Sequence, residues 1–369
     1  TDATVDATAL AARIDSYDSI NAGATTGMTL ASGATIEVEA GEIAEMLADE
    51  TAGRLTIGDQ LITVNGAITV DNANLLGTTT SGKVTATIDT SETVTELATL
   101  SADGGTNDLS IVIRGADATA ATAAQLNTIN DATALAVNLT NVTGLAASSL
   151  ADLGTLATAI TNNQFSNATG LTTIAVSDTT IDATTLAARI SSYDTINGVS
   201  GTTDMTLASG ATINVDAGEI TAMLADENAG RLTIDDQNIT VTGAITVDVA
   251  NSLGTTTDGK VTATIDTSET VEELATLNAD GGTNDLTIAI SAADATAATA
   301  EQLNAIDAAT SLAVDATAVT GLSGSYSDLV TLYVSPGVAG LGDEDITITG
   351  DSLTVEEANA IDLLTTGVV

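Results

Sequence analysis

The sequence predicts an α/β solenoid of short strand–helix repeats, internally duplicated, and three observations carry that prediction. The stretch Lys83-Val-Thr-Ala-Thr-Ile-Asp-Thr-Ser-Glu-Thr-Val94 recurs letter for letter at Lys260–Val271. Around it, residues from about Ala7 to Leu145 return as about Ala183 to Leu322, displaced by 176 positions (7 to 183) and later by 177 (83 to 260). The stretch also alternates: Val84, Ala86 and Ile88 fall on one side of a strand, Thr85 and Thr87 on the other. Finally, 369 residues hold one Phe, no Trp, four Tyr and four Met, so any core is thin and filled with Ala, Val, Ile, Leu and Thr. Thin, regular cores of small aliphatics suit stacked repeats better than globular enzymes.

The same stretch shows the unit of construction. Asp89 lies three residues before Glu92, the spacing of a capping box that satisfies the free N–H groups of a helix start. Val94, Leu97 and Leu100 follow at helical spacing, Gly104-Gly105 offers a stop, and Leu109, Ile111 and Ile113 resume the alternation.

In chain order, helices are predicted around Leu10, Ile14 and Tyr17, around Ile43, Met46 and Leu47, and over Asp71–Leu76 and Val94–Leu100. Two more follow, around Ala123, Leu126 and Ile129, and around Leu150, Leu153, Ala157 and Ile160. Strands are predicted between them at Thr35–Val38, Leu55–Ile57, Ile62–Val64, Ala67–Val70, Lys83–Ile88, Leu109–Ile113 and Leu135–Leu139. Helix starts fall roughly 20 to 35 residues apart, inside the range of solenoid repeats. The second copy starts from Leu186, Ile190 and Tyr193, and departs from the first after Gly321 with Ser325–Tyr333, Pro336, Ile346–Thr349 and a helix near Val355–Leu364. Residues 1–177 and 178–369 read as two repeat modules of one continuous stack, because no Pro/Gly/Ser tether separates them.

Charge narrows the function. Fifty acidic residues against seven basic ones give a net charge of −43. No basic stripe exists to displace counterions from a nucleic acid, and anionic membrane surfaces are disfavoured equally. A charge this high strains a compact fold at low ionic strength. In salt near that of seawater the screening length falls to about 4 Å, so the charge reads either as a solvated acidic surface for solubility or as the mark of a saline, calcium-containing habitat. No run of about 18 apolar residues is present, so no membrane span is expected. Thr1-Asp2-Ala3 reads as the start of a processed or excised piece.

With no His and no Cys, the Ser-His-Asp, Cys-His and His–metal arrangements cannot be built. Five aromatics in 369 residues offer no platform for a sugar between paired carboxylates. No enzyme is expected. Calcium is the best-supported ligand: Asp103-Gly-Gly-Thr-Asn107-Asp108 recurs as Asp280-Gly-Gly-Thr-Asn284-Asp285, with carboxylate and amide oxygens on a turn that Gly permits. The competing reading of both loops is a helix C-cap followed by an Asn/Asp turn. Asp343, Glu344, Asp345 and Asp351 form a second acidic cluster. Thr-x-Thr pairs such as Thr85 with Thr87 reflect strand propensity on a solvated face more simply than an ice-binding surface. Asn138, Asn141, Asn167 and Asn238 open Asn-x-Thr sequons, which leaves glycosylation open.

Neither terminal helix is followed by an obvious polar capping repeat, although a soluble solenoid normally needs one. Uncapped ends imply either a fragment of a longer chain or a subunit that stacks head to tail, a heterologous contact that gives a filament if it does not close. The expected assembly faces are Leu10, Ile14 and Tyr17 at one end and Val355, Ile361 and Leu364 at the other.

Gly340-Leu-Gly-Asp-Glu-Asp-Ile-Thr-Ile-Thr349, Leu353-Thr-Val-Glu-Glu-Ala-Asn-Ala-Ile-Asp362 and Thr365-Thr-Gly-Val-Val369 resemble one repeat of the giant secreted tandem-repeat surface proteins of marine cyanobacteria and other aquatic bacteria. Ala300-Glu-Gln-Leu-Asn-Ala-Ile-Asp-Ala-Ala-Thr310 and Val314-Asp-Ala-Thr-Ala-Val319 share that character, so the resemblance is strongest over residues 300–369. It implies an extracellular surface or fibre role and supplies no active-site residues. The expectation is a structural building block of an extracellular fibre or surface layer. The alternative is a calcium-dependent adhesin or spacer segment of a larger cell-surface protein.

Overall fold

A computed structural model describes residues 2–21, 27–101, 107–198, 201–278, 284–350 and 352–369. Among them are thirteen α-helices and several parallel sheets, none closed into a barrel. The chain divides into two compact units, Thr1–Ser177 with Arg189–Thr206, and Asp178–Ala188 with Leu207–Val369.

The first unit is built on a five-stranded parallel sheet of Thr4–Asp6, Thr35–Glu39, Leu61–Ile68, Val84–Ile88 and Asp108–Ser110, in that spatial order. Sequence order equals spatial order, so each strand–helix segment lies beside the one before it. Register aligns like with like: Val5 opposes Ile36, Ile36 opposes Ile62, Ile62 opposes Val84, and Ala86 opposes Leu109. These aliphatic columns face the helices and are buried from Ile36 onward, while the intervening Thr residues stay partly solvated. Leu61–Ile68 is one strand where the sequence predicts two pieces. Asn65-Gly66 does not break it, because Gly66 takes φ +95° and the extra residues bulge out between Thr63 and Ala67. Val70, predicted as strand end, is instead the first residue of a helix.

The helices of this unit are α1 (Ala7–Ile20), α2 (Ile43–Thr51), α3 (Val70–Thr79), α4 (Val94–Leu97), α5 (Ala123–Asp131) and α6 (Leu150–Thr161). A smaller parallel sheet of Gly144–Ser148, Thr173–Val176 and Asp204–Thr206 lies beyond them. Most of these helices start on a Ser, Thr or Asp whose oxygen accepts the N–H three residues on: Asp6, Thr69, Thr93, Thr122 and Ser149. Each such cap stabilises its helix by about 1 kcal/mol. The capping box of α4 is Thr93 with Glu96, four residues past the predicted Asp89 and Glu92. Asp89 turns the chain locally by accepting Ser91 N–H, and that hydrogen bond holds its carboxyl below the usual range. Glu92 reaches sideways to the N–H of Val70.

That sideways reach is a rule of the fold. The first N–H of a helix, which has no partner inside it, is taken by a side chain 22 to 25 residues downstream. Val70 N–H donates to Glu92 (3.3 Å), Val94 N–H to Asp117 (2.8 Å), Ala123 N–H to Ser148 (2.8 Å) and, in the second unit, Val271 N–H to Asp294 (3.0 Å). Neighbouring segments therefore lock one another by polar contacts as well as by burial.

The helix α7 (Ala183–Asn197) carries residues of both units. In the second unit a parallel sheet of Thr180–Asp182, Thr212–Asp216, Asn238–Ile245, Val261–Ile265 and Asp285–Thr287 is followed by one of Ala298–Thr299, Gly321–Gly324 and Asp345–Ile348. Its helices are α8 (Ile220–Asn228), α9 (Val247–Thr256), α10 (Val271–Leu274), α11 (Ala300–Ala308), α12 (Tyr326–Val334) and α13 (Val355–Asp362).

A second polar device recurs along the chain and explains why buried polar residues are tolerated here. Thr80 donates its hydroxyl to the carbonyl of Gln60 (2.5 Å) and accepts Gly82 N–H (2.9 Å). Thr257 treats Gln237 and Gly259 alike (2.5 and 2.9 Å), as Thr365 treats Glu344 and Gly367 (2.7 and 3.0 Å). The amide oxygens of Gln60 and Gln237 accept the N–H two residues before them, and their amide nitrogens donate to the carbonyls of Ala31 (3.0 Å) and Ala208 (3.2 Å). Glu344 keeps the first half, accepting Gly342 N–H at 2.7 Å, but a carboxylate has no N–H to give. Its Oε1 is buried with no partner among the described residues, on a residue with no exposed surface. Glu344→Gln restores the missing donor, and we expect it to stabilise the second unit by about 1 to 2 kcal/mol, read as a raised melting temperature.

Candidate assembly interface

One contact inside the first unit joins α6 to the outer face of α7. Ser149 caps α6, and the first turn presents the carbonyls of Leu150 and Leu153 outward. Arg189 on α7 donates Nε–H to Leu150 O at 3.1 Å, and the Tyr193 hydroxyl donates to Leu153 O at 3.1 Å. Gly154 makes the room, because a Cβ there would lie 2.6 Å from Nη2 of Arg189. Tyr193 is fully buried, and that desolvation pushes its phenol above the usual range, with Arg189 pulling weakly the other way.

The helix α1 is the sequence counterpart of α7: Ala7-Thr-Ala-Leu-Ala-Ala-Arg-Ile14 against Ala183-Thr-Thr-Leu-Ala-Ala-Arg-Ile190, with Tyr17 matching Tyr193 and Ile20 matching Ile196. Their inner stripes behave alike, since Ala7, Leu10 and Ile14 are buried as Ala183, Leu186 and Ile190 are. The outer stripes differ. Arg13, Ser16, Tyr17 and Ile20 are exposed, whereas Arg189, Ser192, Tyr193 and Ile196 are covered wholly or in part. Tyr17 is 47% exposed and Tyr193 0%. Arg13 forms no ion pair among the described residues, although 50 acids share the chain with it.

At the other end the same mismatch appears on α13. The first residue of most inner helices is buried, as at Val70, Val94, Ala123 and Leu150 in the first unit and Val247, Val271 and Ala300 in the second, while Tyr326 of α12 is half-buried. Val355 holds that place in α13, behind the Thr354–Glu357 capping box, and is 79% exposed. No side-chain acceptor for its N–H is found among the described residues. Leu363 and Val368 are exposed as well.

Of the six residues the sequence proposes for the end faces, three are therefore misplaced. Leu10, Ile14 and Ile361 are core residues of their own units, because the apolar stripe of a helix faces its sheet first. Tyr17 and Val355 lie outward and Leu364 is half-buried. Arg13 and Ile20 lie on the same exposed stripe as Tyr17, a feature that the near-identity of α1 to α7 brings out.

Comparison with protein families, with curated proteins and with solved structures gives no match for this chain. The reading of the end faces rests on geometry alone.

The residues proposed for calcium serve the fold where they are described. Asn107 and Asn284 are buried, and their side-chain oxygens accept Val84 N–H and Val261 N–H, both at 2.9 Å. Asp108 pairs with Lys83 and Asp285 with Lys260, and the Lys260 contact, with a hydrogen bond from Ser311, holds the Asp285 carboxyl below the usual range. Asp103 and Asp280 lie outside the described residues. Among the described residues no group of three or more acidic side chains is arranged to hold a metal.

Proposed function

We propose that this protein is a structural building block of an extracellular fibre or surface layer, an α/β solenoid whose copies join head to tail. The observation that carries the reading is the pair of near-identical helices, one with its Tyr buried against a neighbour and the other with the same Tyr facing solvent. An exposed stripe of Arg, Tyr and Ile that is elsewhere a packed contact is a surface awaiting its partner. The exposed Val355 of α13 is a second uncovered apolar position that such a contact could use. Extracellular location is supported by the acidic, cysteine-free composition and by the resemblance to secreted repeat proteins, and divalent cations would moderate repulsion between copies carrying −43 each. Nothing in this reading calls for catalysis.

Sedimentation velocity over a wide concentration range in saline buffer is the test. The reading expects species that grow with concentration. A single species at every concentration would favour the spacer or adhesin segment instead.

A further inference from the structure

We infer that Asp343 and Glu344 hold a hard divalent cation of the calcium type, in the place that a side-chain amide fills in two equivalent turns. The site lies within the second unit and is independent of how copies assemble. Its form is set by the turns that carry a glutamine. In Gly58-Asp59-Gln60 the Gln60 Oε1 accepts Gly58 N–H, while Nε2 donates to the Ala31 carbonyl (3.0 Å) and to Asp59 Oδ1 (3.1 Å). Asp59 also accepts the Ser32 hydroxyl. Asp235-Asp236-Gln237 repeats every contact: Nε2 donates to the Ala208 carbonyl (3.2 Å) and to Asp236 Oδ1 (2.8 Å), and Ser209 donates to Asp236. Each amide therefore ties a carboxylate to a carbonyl of the preceding segment.

Gly342-Asp343-Glu344 keeps the backbone of this turn and loses its donors. Glu344 Oε2 accepts the N–H groups of Gly342 (2.7 Å) and Asp343 (3.1 Å), which holds the carboxylate and sets Oε1 where the glutamines have Nε2. That Oε1 has no partner among the described residues, on a side chain with no exposed surface. The serine is gone as well. Ala31 and Ala34 close the turn before one strand as Ala316 and Val319 close the turn before another, so Thr317 stands where Ser32 does. Thr317 gives its hydroxyl to Asp315 (2.7 Å), and no donor to the Asp343 carboxylate is found among the described residues.

By this correspondence only acceptors remain around the place of the amide: Glu344 Oε1, the Asp343 carboxylate and the carbonyls of the Ala316–Val319 turn. A buried anionic oxygen left unpaired is costly, and a second carboxylate beside it adds repulsion. Calcium removes both penalties, because it takes roughly six to eight oxygens at about 2.3 to 2.6 Å. Asp343 is exposed, so water can complete the shell. The site needs two carboxylates only, which is why no group of three marks it. Every protein group that it uses lies within residues 316–344.

Thermal unfolding in saline buffer, with calcium or with chelator, tests the site on the wild type, Glu344→Gln and Glu356→Gln. Glu344→Gln recreates the glutamine turn and so keeps the fold, while Glu356→Gln removes the same charge from an exposed position of α13. Millimolar calcium is expected to raise the wild-type midpoint by about 5 °C over its value in chelator. Glu356→Gln should follow the wild type. Glu344→Gln should start from a higher midpoint in chelator and gain markedly less from calcium. Equal gains in all three proteins would mean that calcium only screens charge, and the site is then wrong. A wild type that ignores calcium but gains stability as the buffer is acidified would give the place to a proton, which overturns the site equally.

Discussion

Replacing Gly82 by alanine should destabilise the first unit by about 3 kcal/mol, among the largest effects of any single methyl in this protein. A Cβ at Gly82 would lie 2.3 Å from the carbonyl oxygen of Gln60 and 2.7 Å from its carbonyl carbon. Those are backbone atoms, so no side chain can swing away to relieve the clash. The neighbouring segment must move, and it is already held by the Thr80 hydroxyl. Gly259 and Gly367 meet Gln237 and Glu344 at the same 2.3 Å, so alanine at either should behave alike in the second unit. Denaturant unfolding with a preserved slope and a lowered midpoint would confirm the effect. An unchanged midpoint would show that the segments are not packed as tightly as described.

Asn107→Leu should cost about 2 kcal/mol, because it keeps the side-chain volume and leaves Val84 N–H buried without an acceptor. This substitution separates the two readings of the Asp103–Asp108 loop. If Asn107 serves the fold, the loss is the same with calcium present or chelated. If it serves chiefly as a cation ligand, the variant and the wild type become equally stable once calcium is removed. The position of Asn107 between two stacked segments predicts the first outcome.

Much of the architecture was legible in the sequence for a simple reason: alternation in Val84–Ile88 and helical spacing in α1, α2 and α5 come directly from burial on one face. Short elements were not. The strands Thr4–Asp6 and Gly144–Ser148 carry too few apolar residues to register as alternation, and they form because the neighbouring strand supplies their hydrogen bonds. The α4 cap was misread because two Asp/Thr-x-x-Glu spacings follow one another within eight residues, and only packing chooses Thr93. Sequence also could not tell the two faces of α1 apart. Both carry apolar side chains, and the sheet claims Leu10 and Ile14, leaving Tyr17 and Ile20 outside. Asn107 illustrates the remaining gap: an amide on a Gly-rich turn offers the same oxygen to a cation or to a backbone N–H, and only the third dimension brings Val84 within 2.9 Å. Glu344 went unread as a flaw because its kinship to Gln60, although visible in Gly58-Asp59-Gln60 against Gly342-Asp343-Glu344, gains meaning only from the hydrogen bonds that Gln60 and Gln237 make.

The most direct measurement is negative-stain imaging of the wild type beside Arg13→Glu at equal concentration in saline buffer. The account predicts filaments with a regular axial repeat for the wild type and isolated particles for the variant. Isolated wild-type particles, at concentrations where the protein is folded and abundant, would contradict it.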